Sequence, residues 1–223
     1  MATVSEEALG ARGATRNYKP LILLLTVVSA AIIWSGFHPV DFWTWVFELA
    51  IGFAGVLVLA ATYRWFQFSN LVYTLVAIHF VILAAGGKYT YAEMPLFNWL
   101  RDTFHLSRNY YDRVGHFAQG FVPAMICREL LLRTSPLRPG KWLSFLCVAV
   151  CLALSAFYEF IEWWMVIFFY PKEGAAWLGM QGDVFDAQGD MFMAFCGAIA
   201  AIAILSRLHD RSIAKVAPRA AQV

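Results

Sequence analysis

Long apolar runs separated by short polar breaks recur along most of the chain, and their lengths match a bilayer better than a soluble core. A helix needs about 20 predominantly apolar residues to cross the hydrocarbon layer. Residues 20–37, 41–63 and 68–85 come close to that length, and further spans are expected at 112–132, 142–170 and 186–208, with Pro171 stopping the fifth. The pattern therefore predicts an all-α fold, a polytopic transmembrane helix bundle of about six helices in a single membrane domain over 20–208. Residues 1–19 and 209–223 are short tails.

Between the third and fourth spans the pattern changes. From Gly86 to Tyr111, Lys88, Glu93, Arg101, Asp102 and Arg108 alternate with Tyr89, Tyr91, Phe97, Trp99 and Phe104. That blend suits the membrane–water interface, so the segment is expected to be a partly helical cap, anchored by Tyr91 and Trp99 and placed to act as a lid over a polar cavity.

Composition agrees: the 223 residues are 61% hydrophobic and 14% charged, against roughly 25% charged residues in a soluble domain. A net charge of +2, with no basic strip interleaved with aromatics, sets nucleic-acid binding aside. Cys127, Cys147, Cys151 and Cys196 all fall inside expected helices, which argues against an exported disulfide framework and for small core residues. The basic residues are unevenly divided. Twelve of the 17 Lys and Arg lie in segments on the side of the termini, and five (Lys88, Arg101, Arg108, Arg113 and Lys172) lie on the other. By the positive-inside tendency both termini are expected in the cytoplasm.

With that topology, the ionisable residues of three helices converge near the outer face. Asp112, Arg113 and His116 open the fourth span, Glu159 and Glu162 lie in the outer half of the fifth, and Asp183, Asp186 and Asp190 open the sixth. Spacings of three and four residues let each set share a helix face. At ~1.5 Å per residue, Glu162 and Glu159 lie roughly 12 to 17 Å below Tyr170. Charged residues at such depth cost ~2.5–3.5 kcal/mol each unless compensated. A bound cation, a basic partner or protonation would compensate them. Glu48 and His79 are expected at similar depth.

The surplus of carboxylates predicts a divalent cation (Mg²⁺, Mn²⁺ or Zn²⁺) held by His116, Glu159, Glu162, Asp186 and Asp190, with Asp183 as an outer or alternate ligand. His116, Glu159, Glu162 and Asp190 are then the catalytic candidates, and Asp112, Arg113, Gln119, Glu48 and His79 are the candidates for contacting a substrate. The competing account is a structural ion-pair network that fixes helix register, with Asp183 and Asp186 as ordinary helix caps.

The strings GGKYTYAEMPLFNWL, RNYYDRVGHFAQGFVPA, YEFIEWW and QGDVFDAQGDM resemble the YjdF-like family of bacterial inner-membrane proteins, over roughly Glu48 to Leu205. The resemblance implies the membrane fold and the inner-membrane location. A shorter likeness, Asp112 with His116 and Phe117 at the start of a helix, is similar to the VanZ-like group and implies an envelope lipid or its head group as partner. Two functions compete: a metal-dependent hydrolase or transferase acting on a lipid or envelope substrate, and a proton- or cation-coupled transporter in which Glu159, Glu162 and Asp190 carry the ion. A structural or regulatory envelope protein is the third reading. HExxH, GxSxG and P-loop motifs are absent from the sequence, and a homo-oligomer would supply the missing half of a transporter.

Overall fold

The computed structural model describes residues 17–169 and 178–216. The expected end of the fifth span at Tyr170 and Pro171, Lys172, and the outermost parts of both tails lie outside the described residues. Seven α-helices make up the described fold: α1 Lys19–Gly36, α2 Phe42–Thr62, α3 Asn70–Lys88, α4 Pro95–Phe104, α5 Tyr111–Thr134, α6 Lys141–Phe169 and α7 Asp186–Ile213. No strand occurs among the described residues. This is a polytopic helical membrane protein.

Five helices, α1, α2, α3, α6 and α7, are long and apolar enough to cross a bilayer. Helix α5 is equally long, 24 residues, but carries Asp112, Arg113, Arg128, Glu129 and Arg133. It tolerates them because it is the centre of the bundle, packed against α3, α6 and α7, so its charges meet protein partners instead of lipid. Outward faces are apolar, as with Ile33 and Ile204, and exposed Trp65 and Trp142 mark one end of the bundle while Trp43 and Phe37 mark the other. Local signals set the starts: Pro20 occupies the first turn of α1, and the Asp41 side chain accepts the Thr44 N–H at 2.6 Å to cap α2. That bond holds the Asp41 carboxyl below the usual carboxylate range.

Helix α3 runs one turn further than its apolar stretch, to Lys88. The extension is fixed by tertiary contacts: Lys88 Nζ donates to the Trp34 carbonyl at 3.4 Å and to the Phe37 carbonyl, and Lys88 O accepts from Val40 N at 2.9 Å. Helix α7 likewise continues past the apolar run to Ile213, because His209 meets buried Glu129 there and Ser212 Oγ accepts from the Leu71 N–H at 3.3 Å. The interfacial segment forms the ten-residue amphipathic α4, with Pro95 in its first turn and His105 in the left-handed conformation at its end. Its two expected anchors differ. Tyr91 is buried, whereas Trp99 is exposed on the outer side of α4.

The most extensive helix pair is α5 with α7. A Cβ placed on Gly120 would meet the Ala194 carbonyl oxygen at 1.8 Å, and one on Gly197 would meet the Phe117 carbonyl oxygen at 2.1 Å. Ala194, Ala198 and Ala201 on α7 and Ala124 on α5 are fully buried around these points. Without a hydrophobic force between helices in lipid, such small-residue faces give association its van der Waals surface. Replacing Gly120 or Gly197 by Leu is expected to force α5 and α7 apart and lower the melting temperature in detergent, with a loss at or above the upper end of the ~1–3 kcal/mol typical of overpacking. A wild-type melting curve for both variants would count against this interface.

Candidate functional site

The closeness of α5 and α7 brings their first turns side by side and makes a buried charge network. Arg108, in the loop before α5, reaches Asp186 Oδ1 at 2.6 Å, Asp183 Oδ2 at 3.2 Å and Asp112 Oδ2 at 3.5 Å. Arg113 lies against the same group: its Nη2 is 2.8 Å from Asp186 Oδ1 and 3.0 Å from Asp183 Oδ2, and its Nη1 pairs with Asp190 and lies 3.5 Å from Asp112 Oδ2. Two planar guanidinium groups thus share four carboxylates, an arrangement suited to their fixed donor fans. Asp183 stands in the turn before α7, where the Phe185 N–H, joined by Arg108 and Arg113, holds its carboxyl below the usual range. The loop carrying Arg108 is itself locked. Asn109 and Gln181 exchange hydrogen bonds of 2.8 and 3.0 Å, and Asn109 Nδ2 donates to Met94 O and Asn98 Oδ1.

One turn deeper sits His116. Its Nε2 is 3.5 Å from Asp112 Oδ1 and 3.6 Å from Asp190 Oδ1, and its Nδ1 is 4.0 Å from Glu159 Oε1. The donor atoms of Asp112, His116 and Asp190 form one compact group, and all three residues are buried. His116 Nδ1 and Glu159 Oε1 are both buried and have no hydrogen-bond partner among the described residues. The network therefore divides the expected ligands. His116 and Asp190 converge with Asp112, which was expected to contact substrate, and Glu159 lies behind His116. Asp112 and Asp190 are shared with the arginines. Asp183 and Asp186 face the arginines without reaching His116, and Glu162 lies on the cavity wall.

Below this group a cavity of about 790 Å³ extends between α2, α3, α5 and α6. Its polar end holds Glu48, His79, Asp112, His116, Tyr158 and Glu162; its remaining length is walled by residues such as Val56, Leu59, Val122, Ile126, Leu130 and Leu154. Gln119 lies on the wall between the two regions. Tyr158 donates to Glu48 Oε2 at 3.2 Å. Tyr91 roofs the polar end, with its ring so close to Gly86 that a Cβ there would lie 2.2 Å from it, and it tilts against Tyr111 at 5.8 Å between ring centres. Tyr91 therefore carries the covering role expected of the interfacial segment, whereas the exposed Trp99 does not reach the cavity.

A family model described as predicted membrane protein, DUF2238, matches residues 20–211. The chain belongs to the DUF2238 family. It is 42% identical over 202 residues to inner membrane protein YjdF of Escherichia coli K12, an alignment covering 89% of this chain and 96% of that protein. No solved structure matches it. The four strings that resemble YjdF-like proteins supply most of the network just described, including Arg108, Asp112, Arg113, His116 and Asp190.

In this DUF2238 chain, sequence reasoning assigned Arg108 to the interface and gave Tyr158 no role, because the nearest partners of both, Asp186 for Arg108 and Glu48 for Tyr158, lie on distant elements. It also overlooked a second buried cluster at the opposite end of the bundle. Glu129 Oε1 accepts from Ser69 N at 2.8 Å and Arg133 Nη1 at 2.7 Å, and its Oε2 lies 3.0 Å from His209 Nε2. Arg128 Nη1 is 3.2 Å from His209 Nδ1. A guanidinium only donates, so Nδ1 accepts and Nε2 carries the hydrogen given to Glu129. The cluster clamps α5, α7 and the turn before α3. The spacing of Glu129 and Arg133, four residues apart on one helix, was its only local signal. Replacing the fully buried Glu129 by Ala should cost ~3–5 kcal/mol, because it strands Arg133 and His209. Removing Asp210, which pairs with Arg128 at 2.7 Å but is half exposed, should cost less than removing Glu129, because water reaches that side of the pair and Arg128 keeps its contact with His209. Thermal unfolding in detergent distinguishes the two, and equal losses would argue against a clamp.

Proposed function

We propose that this DUF2238 protein is a metal-dependent hydrolase or transferase that acts on a lipid or envelope substrate. The observation that carries the reading is the meeting of the Asp112, His116 and Asp190 donors at the polar end of a cavity that is otherwise apolar. Separations of 3.5 and 3.6 Å from His116 Nε2 to the two carboxylate oxygens are long for hydrogen bonds. They match the ~3.4 Å edge of a tetrahedron of donors about 2.1 Å from a Zn²⁺-sized centre. Behind the ring, Glu159 Oε1 lies 4.0 Å from His116 Nδ1, beyond hydrogen-bond distance but on the side from which a carboxylate would orient a metal-binding imidazole on closer approach.

A divalent cation at this position supplies a polarised substrate oxygen or an activated water. The chain's own residues do the rest. Arg108 and Arg113 hold the aspartates in place, and Tyr91 excludes water from above. Glu162 and Glu48, on the cavity wall, stand ready to take up a proton, with the Tyr158 hydroxyl fixing the orientation of Glu48. Neither Lys nor Arg lines the cavity, whose basic groups are the imidazoles of His79 and His116, so a phosphoryl or carbonyl oxygen entering it meets no permanently charged cation, and a metal is the electrophile the site would use.

Protein purified without chelator should contain about one equivalent of Mg, Mn or Zn by elemental analysis. His116→Ala and Asp112→Asn should lose it, while Glu162→Gln should retain it. Metal-free wild type whose melting does not change with added Mg²⁺, Mn²⁺ or Zn²⁺ would sink the reading, and proton or cation uptake through Glu159 and Glu162, assayed in liposomes, would then take its place.

The orientation belongs to the same proposal. With twelve basic residues on the side of the termini and five on the other, the site faces away from the cytoplasm. Alkaline phosphatase fused after Val223 should be inactive and a cytoplasmic reporter there active; the reverse pattern would turn the site inward.

A further inference from the structure

The two side walls of the cavity touch at its polar end, where Tyr158 of α6 donates to Glu48 of α2 at 3.2 Å, and part along its apolar length. Helices α3 and α5 pack against each other and form its back, α2 packs on α3, and α6 packs on α5, but α2 and α6 share no extended interface. The front is therefore a slot running between α2 and α6. Its rim is apolar and exposed, with Ile51 and Val58 on α2 and Leu154 and Phe157 on α6. In a helical membrane protein such a rim faces hydrocarbon, so the slot is continuous with the bilayer interior. Gly55 stands in this wall, and a Cβ there would meet nothing within 4 Å.

The polarity of the slot is graded along its length. Carboxylates, imidazoles and a phenol occupy the end beneath Tyr91, and aliphatic residues occupy the rest. From Glu48 to Leu59 the α2 wall is ~16 Å long, and from Glu162 to Val150 the α6 wall is ~18 Å long, at 1.5 Å per residue. A water-filled channel would need polar groups along its whole length, whereas this cavity offers them at one end alone. Its volume falls within the range of sites that enclose most of a small ligand.

From these features we infer that the slot between α2 and α6 is a lateral entrance and binding groove for one long aliphatic chain of a membrane amphiphile. The chain slides in from the bilayer and lies along Val122, Ile126 and Leu59, while its polar head group reaches His116. The inference names the substrate class of the proposed metal site and rests on that reading, but chain binding by itself requires no metal.

The test uses full-length protein in vesicles containing a phospholipid with a photoactivatable group near the end of one acyl chain, with the labelled residues mapped by mass spectrometry. In the wild type, label should appear on residues inside the slot, such as Leu59 and Ile126, as well as on outward-facing Ile33 and Ile204. Gly55→Trp, whose indole would enter open space, should cut labelling inside the slot at least fivefold, leave Ile33 and Ile204 labelled, and preserve the melting temperature. His116→Ala should lose metal yet keep the slot labelled, so loss of the metal reading and loss of the groove give different results. Label confined to the outer faces of the wild type would overturn the inference. So would slot labelling that Gly55→Trp leaves unchanged in a folded protein, or a slot protected by a second copy of the chain.

Discussion

The close backbone approach of α5 and α7 is the constraint on which the rest of the molecule depends. At Gly120 and Gly197 the two helices leave no room for a side chain, and four-residue steps lead from Gly120 to His116 and Asp112 and, from Ala194 packed against it, to Asp190 and Asp186. Side chains on two helices held this near must interact. The contact therefore decides that the aspartates of α7 meet the arginines and histidine of α5 and its leading loop instead of facing lipid, where each would be costly. A pair of larger residues at the crossing would separate the helices and leave buried charges without partners, so the same small residues govern both packing and electrostatics.

Charge is concentrated at two levels of the bundle and arranged differently at each. At the end away from the cavity's polar groups, the Glu129 carboxylate is satisfied by His209, Arg133 and the Ser69 N–H, which is the behaviour of a structural clamp. At the cavity end, Arg108 and Arg113 satisfy the outermost aspartates, but satisfaction runs out one turn deeper. His116 Nδ1, Glu159 Oε1 and Gln119 Oε1 are buried without partners. Buried polar atoms are nearly always hydrogen-bonded, and the grouping of these unmatched atoms beside a cavity, whereas Ser69 Oγ and Arg108 Nε stand singly elsewhere, supports the site proposed above. The contrast between these two clusters on the same helix distinguishes the site from the scaffold.

The cavity completes this division. Lipid-facing helices need no tight partner, because hydrocarbon covers an apolar face as well as protein does. Helices α2 and α6 can therefore remain apart, each attached to the central pair of α3 and α5, without a penalty that would close the gap in a soluble protein. Tyr91 covers only the polar end, so the acidic and imidazole groups lie under protein while the aliphatic length stays open toward the bilayer.

The sequence by itself determined the membrane location, the number and approximate extent of the long helices, the interfacial segment, and the convergence of Asp112, His116, Glu159 and Asp190 near one end. These are properties of hydrophobic length and helical period, both of which are local and one-dimensional. The extent of α3 and α7 was shorter in that reading because their last turns are held by Lys88, His209 and Ser212, whose partners lie on other elements. Only the tertiary structure decided which carboxylates pair with which bases. Arg108 meets Asp186 across 78 residues and His209 meets Glu129 across 80, and no periodicity encodes such partners. It also decided that Asp112, expected to contact substrate, stands with His116 and Asp190, while Asp183 and Asp186 turn to the arginines. The groove was the least legible feature of all, since it consists of the extended interface that α2 and α6 do not make beyond the Tyr158–Glu48 hydrogen bond, and a missing interface leaves no trace in the order of residues along a chain.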